Sequence, residues 1–248
     1  MPGDEHAAVR DVGNVEVDLI FPGHPSSIPQ VTTMRLYLAS TSPARLALLR
    51  AAGIEPVVVP SRVDEPAAVA AAEAEHGPLS PDAMVRLLAR LKAEAVRGTL
   101  DGEPIDGLVF GGDSAFAIDG AIHGKPHRPE IARERWRAQR GRTGRLHSGH
   151  WLIDHRGGVE NAAVGATAVA AVSFADVTDA EIDAYIASGE PLEVAGAFTI
   201  DSLGGPFIRR VEGDPSTVVG LSLSTLRDLV RQLGIEWTEL WNRAGASL

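Results

Sequence analysis

The chain has no cysteine among its 248 residues. That excludes disulfides and thiolate metal sites, and it removes cysteine usage as a guide to redox compartment. No apolar run approaches the roughly 20 residues needed to span a membrane. The N-terminus is acidic, with neither a basic region nor an apolar stretch behind it, so a secretory-signal pattern is missing. A cytoplasmic location is the resulting expectation. Positive charge is also short: 23 Lys and Arg stand against 33 Asp and Glu, a formal charge of −10. That balance opposes a broad nucleic-acid surface. A small, highly charged anion remains possible wherever loops concentrate Arg and Lys. Nor is there a Gly-x-Ser-x-Gly elbow, the usual sign of a serine hydrolase.

What is present suits one large domain, or one domain with an appendage: 44% of residues are hydrophobic, enough to bury a full core. Residues 1–33 mix Gly, Pro, Ser and charge and read as a loosely ordered N-terminal extension, with residues 15–21 hinting at a strand. Residues 34–235 read as the main domain and 236–248 as a tail. From Arg35 onward strand and helix patterns alternate. Residues 35–39 suggest a strand, and Ser42-Pro43 opens a helix that Gly53 stops. Residues 57–59 suggest another strand, while 64–79 could be a loop or an extra helical turn. Ser80-Pro81 begins a helix with Met84, Leu87, Leu88, Leu91 and Ala95 on one face. Residues 108–112 form a buried strand and 116–118 a further one, turned by Asp119-Gly120. A charged helix over 129–140 and two long strands, 145–154 and 163–174, come next. Thr178-Asp179-Ala180-Glu181 is a capping box. A strand at 206–211 and a helix ending near Leu233 close an α/β domain with a mixed sheet.

Four groupings can bear chemistry, and a fifth is set aside. Asp113 follows an apolar strand and two glycines that would let a phosphate or metal approach the backbone, where an open α/β sheet places its ligand; it could equally cap a turn. Ser40-Thr41-Ser42-Pro43-Ala44-Arg45 joins a strand to a helix N-terminus, which either binds an anion or simply caps the helix. Gly124-Lys125-Pro126 ends the hairpin after Asp113 and returns Lys125 towards it, although Pro126 rules out a Walker A loop. Asp64-Glu65 offers two carboxylates to a hard cation, or forms a solvated acidic turn. His147 and His150, three apart on a strand, face opposite sides and are rejected as a zinc site.

In order along the chain these segments resemble the Maf (septum formation inhibitor-like) family of nucleotide pyrophosphatases. The resemblance rests on residues 38–45, Val63-Asp64-Glu65, Gly111-Gly112-Asp113-Ser114, Gly124-Lys125-Pro126, Gly141-Arg142-Thr143, residues 195–201 and residues 212–221. It implies a twisted mixed sheet flanked by helices, with two lobes around a cleft, in a homodimer. It further implies hydrolysis of a nucleoside triphosphate to monophosphate and pyrophosphate with Mg²⁺ or Mn²⁺. By the same resemblance Asp113 is the essential aspartate, acting as general base, metal ligand or both. Glu65 is the second acidic residue, and Ser40, Arg45, Lys125 and Lys92 contact phosphates. Asp201 lies in the segment that reads the base.

Two positions depart from the family pattern. Ala44 stands where the motif has a first arginine, which leaves Arg86 and Arg90 as candidate replacements. Asp201 stands where pyrimidine-specific members carry Gln; an ionised acceptor replaces an amide, so a dTTP or UTP preference does not carry over. Residues 66–79 run longer than usual and are a candidate lid. A covalent aspartyl-phosphate route lacks its partner carboxylate, because Gly111 stands there. A nucleotide-binding regulator of cell division without turnover is the remaining alternative.

Overall fold

The computed structural model describes residues 34–243. The suggested strand at 15–21 and the last five residues of the tail lie outside the described residues. In chain order the elements are β1 (Leu36–Leu38), α1 (Pro43–Ala51), β2 (Val57–Val58), α2 (Glu65–His76) and α3 (Pro81–Glu94). A small hairpin of β3 (Thr99–Leu100) and β4 (Glu103–Pro104) follows, then β5 (Leu108–Ile118), β6 (Ala121–His123), α4 (Pro129–Gln139), β7 (Thr143–Asp154) and β8 (Ala162–Phe174). The chain closes with α5 (Asp179–Ala187), β9 (Ile208–Glu212), α6 (Pro215–Val219) and α7 (Leu223–Gln232).

Local chemistry sets most of these boundaries. Ser42, Asp64, Ser80, Thr178, Asp214 and Ser222 each accept a hydrogen bond from a backbone N–H of the helix they precede. Proline occupies the first or second position of α1, α2, α3, α4 and α6, where its missing N–H costs nothing. The capping box at Thr178 and Glu181 forms in full. Asp119 and Gly120 both take positive φ, 54° and 78°, and turn β5 into β6.

The main sheet runs β2-β1-β5-β7-β8-β9, with β6 also on β5. Only β1 runs parallel to its neighbours, β2 and β5, and the other pairs are antiparallel. The expected mixed sheet flanked by helices is therefore what forms. One apolar cluster gathers Leu36, Leu38, Phe110 and α7; a second gathers Phe116, Trp136, Phe174 and Tyr185 beside α4 and α5.

Three expectations need correcting. The strand holding Asp113 does not end there: β5 is continuous for 11 residues, because β7 pairs with it from Leu108 to Ala117 across both glycines. Residues 65–76 form a full helix rather than a loop or single turn, and none of its side chains is buried. On α3 the buried face is Val85, Leu88, Ala89, Lys92 and Ala93, and Ala95 is exposed. The helix lies so close to the sheet that small side chains must face it, which pushes Met84, Leu87 and Leu91 to the flanks. Beyond α7, the turn Trp237–Leu240 packs on the first cluster, with Leu240 fully buried, and Asn242 exchanges two hydrogen bonds with the backbone of Glu55.

Gly111 and Gly149 permit that approach. A Cβ at Gly111 would lie 2.1 Å from the Ala89 carbonyl oxygen, and one at Gly149 2.1 Å from that of Val85. Gly111→Ala must therefore lift α3 from the sheet. The expected cost is about 1–3 kcal/mol in denaturant unfolding, with activity reduced further because Lys92 rides on the same helix. Wild-type stability in that variant would refute the close contact.

Candidate active site

A gap in strand pairing creates the cleft. Along one edge of β5, β1 covers Leu108 to Phe110 and β6 covers Phe116 to Ile118. The Ala39 N–H closes the first pairing on the Phe110 carbonyl at 2.8 Å, and the chain then turns away into α1. Residues 111–115 are left with an open edge, and Asp113 stands in the middle of it. The hollow there measures about 710 Å³ and is lined from both halves of the chain, by residues 40–45, 60–63, 193–195 and 198–201 among others. Asp113 thus lies beyond the end of β1, as a sheet-edge ligand site requires, but within β5.

Asp113 is 8% exposed. The Lys92 ammonium donates to its Oδ1 at 2.7 Å and also stands 2.8 Å from the Glu65 carboxylate. Burial raises the Asp113 pKa from its ordinary value, against the opposing pull of Lys92 and Arg45. A buried carboxylate raised in this way is a better proton acceptor than an exposed one. No group of three or more His, Asp and Glu residues converges among the described residues. The two carboxylates do converge on a single point, marked by the Lys92 nitrogen. That donor set fits a hard cation that takes its remaining oxygens from water and substrate phosphates.

Arg45 is also buried, on the other face of β5. Its Nε–H donates to the Gly220 carbonyl at 2.7 Å, Nη1 to Ser40 Oγ at 3.2 Å and Nη2 to Ser114 Oγ at 2.9 Å. Three of its five N–H donors are therefore held by the protein. Gly112 makes room for it, since a Cβ there would sit 3.1 Å from Arg45 Nε. The two glycines before Asp113 thus admit α3 and Arg45, whereas the sequence suggested that they let a phosphate or metal approach. Ser40, Lys125 and Asp201 line the same cleft, the latter two exposed at its rim.

Arg86 and Arg90 do not line it. Arg90 pairs with Glu94 at 2.8 Å and lies over the Trp151 ring. The first two turns of α2, through Glu73, border a second hollow shared with Gly124 and His127. His147 and His150 do face opposite sides: His147 contacts Asp82 at 2.7 Å, and His150 accepts the Ser222 N–H at 2.9 Å.

A family model described as Maf-like protein matches residues 35–233. The chain belongs to that family. It is 97% identical over 215 residues to a nucleoside triphosphate pyrophosphatase of Leifsonia xyli, covering 87% of this chain and all of the relative. It is 52% identical over 211 residues to the protein of that name from Salinispora tropica, covering 85% of this chain and 88% of the relative. The Nocardia farcinica protein of the same name is 47% identical over 209 residues, covering 84% and 97%.

Two residues of this Maf-like chain escaped the sequence reading. Arg62 lines the cleft with a φ of 53°. Glu190 anchors the wall that holds Asp201. Its carboxylate accepts from Tyr185 Oη at 2.9 Å, Ser202 Oγ at 2.7 Å, the backbone N–H groups of Leu203 and Gly204, and the Thr199 hydroxyl. A Gly-Glu-Pro turn gives no local hint of this, because most of the donors lie nine to fourteen residues downstream. Burial pushes the Glu190 pKa up, but these hydrogen bonds prevail and hold it down at about 2.

A folded pKa below the unfolded value contributes stability above pH 4.5 that is lost as pH falls towards 2. Glu190→Gln should therefore be less stable than wild type at neutral pH, and the difference should shrink across that window. Chemical denaturation at several pH values measures it; a difference independent of pH would rule out the charge as the cause.

Proposed function

We infer that the chain is a nucleoside triphosphate pyrophosphatase, releasing monophosphate and pyrophosphate by attack of water on the α-phosphorus. The observation supporting this most strongly is the buried Asp113, raised in pKa and held beside a lysine at the open edge of β5. Its relatives' names and the family match agree with that chemistry.

The charges in the cleft bear on how a triphosphate enters. Arg45, Arg62, Lys92 and Lys125 line it against Glu65, Asp113, Glu193 and Asp201, four cations to four carboxylates. A bare polyanion would gain little from so balanced a site. Asp113 and Glu65 are the residues that would hold a divalent cation, Mg²⁺ or Mn²⁺, which would neutralise phosphate charge and acidify water. With those carboxylates holding a cation, Lys92 would be free to bind a phosphate oxygen. Asp113 takes the proton of the attacking water; such help is typically worth about 10²–10⁴-fold. Ser40, Lys125 and the Ala44 N–H, the one amide of the first turn of α1 not bonded within the described residues, hold the departing pyrophosphate.

The wall at residues 194–200 combines Val194, Ala195, Phe198 and Ile200 with the Thr199 hydroxyl, and no cation. It suits a nucleobase, with Asp201 at its end as an acceptor for a base N–H. A regulator without turnover would have no use for a carboxylate of raised pKa in this position.

Incubation with a panel of canonical and modified triphosphates and Mn²⁺ or Mg²⁺ should give monophosphate and pyrophosphate. Release of orthophosphate alone would sink the assignment. Asp113→Asn should lower kcat by about 10²-fold or more while the fold is retained; near-normal turnover would remove Asp113 from the base role. Asp201→Gln should alter the ratio of kcat/KM among bases, with kcat for the best substrate changing less. An unaltered ratio assigns base choice elsewhere.

A further inference from the structure

We propose that Arg62 is a phosphate ligand, supplying the guanidinium that Ala44 does not. The inference rests on the pyrophosphatase reading of the cleft and adds a residue to it.

Three observations converge on Arg62. First, it lines the same hollow as Ala44, Arg45, Lys92 and Asp113. Secondly, it is uncommitted among the described residues. Arg45 is bound to Gly220, Ser40 and Ser114, and Lys92 to Asp113 and Glu65. Of the cleft's four cations, only Arg62 and Lys125 make no ion pair or side-chain hydrogen bond among the described residues. Without Arg62 the protein's own lining would hold three cations against four carboxylates, which weakens its hold on a triphosphate. A guanidinium also offers a paired fork of donors that matches phosphate oxygens, which an ammonium does not.

Thirdly, the backbone is in the wrong conformation for an arginine. Arg62 has a φ of 53°, in the left-handed region that glycine fills without a steric penalty and long side chains seldom occupy. That residue turns the chain from β2 into the Asp64 cap of α2, and so points Glu65 at Lys92. Glycine would serve the turn better. An arginine kept there at a conformational cost is explained by what its side chain does.

The test separates turn from ligand. Arg62→Gly relieves the backbone and removes the guanidinium. The expected outcome is a melting temperature equal to or above wild type, with kcat/KM for a triphosphate reduced about 10-fold or more, the size of a lost charge-assisted hydrogen bond. Inorganic pyrophosphate should bind more weakly by a similar factor in titration calorimetry, while the monophosphate product loses less. Arg62→Lys should recover part of the loss. Unchanged kcat/KM and unchanged pyrophosphate affinity in Arg62→Gly would overturn the proposal and leave Arg62 a turn residue. The calorimetric arm needs no turnover. If wild type hydrolysed no triphosphate, the reading of the reaction would fail while the arginine's affinity for phosphate could still be measured.

Discussion

The contact between α3 and the bare backbone of β5 and β7 governs the position of everything else in the cleft. Gly111 and Gly149 leave the sheet without side chains where the helix crosses it, and carbonyl oxygens of Ala89 and Val85 occupy the space. Residue Lys92, one turn along from Ala89, is thereby brought over Asp113, whose partner across the sheet is Gly149. A wider separation, as a pair of alanines would impose, would pull Lys92 from Asp113 as well as loosen the packing. The tight packing thus positions a charged pair as well as contributing stability.

That pair is a poor way to stabilise a protein. Removing an ammonium and a carboxylate from water costs energy that their attraction seldom exceeds, and an apolar pair of similar volume would commonly do as well or better. Asp113 nevertheless sits 8% exposed with a raised pKa, and Lys92 is divided between it and Glu65. Such an arrangement makes sense when the three charges are meant to be rearranged by an incoming polyanion. Glu190 and Asp214 differ from it. Each carboxylate is surrounded by hydroxyl and amide donors that hold its pKa down, and each fixes a loop, at 199–204 and 214–224. The carboxylates that hold loops are saturated with donors, and the one assigned to chemistry is not.

How much could be read from the sequence follows from how local each cause is. Ser42-Pro43, Ser80-Pro81, Thr178 to Glu181 and Asp119-Gly120 act within four residues, and their helices and hairpin form where expected. The glycines before Asp113 misled, because an approaching ligand and a packed helix call for the same bare backbone. Their purpose lies in α3 and Arg45, distant in sequence. The buried face of α3 was misjudged for the same reason, since close packing selects Ala89 and Ala93 over Leu87 and Leu91. Glu190's donors and Arg62's backbone angle exist only once the chain has folded. Asp113, Glu65, Lys92, Lys125, Ser40, Arg45 and Asp201 do come to one cleft. Sequence order could suggest that company but not which bonds its members make.

Arg45 shows why the bonds matter. Its Nε partner, the Gly220 carbonyl, is 175 residues away, and its bond to Ser114 ties α1 to β5. Neighbouring positions on a helix point about 100° apart. Ala44 and Arg45 both line the cleft, but Arg45 is buried with its donors turned to Gly220, Ser40 and Ser114, while Ala44 is only half-buried. An arginine at position 44 would project towards substrate from a helix N-terminus. Here that wall carries only a methyl group at position 44, and the guanidinium proposed for the phosphates belongs to another element. The turn between β2 and α2 is the nearest in function, because it already delivers Glu65 to Lys92. Placing the cation there joins the fate of one phosphate contact to that of a carboxylate three residues on, so that a shift of α2 would move both together.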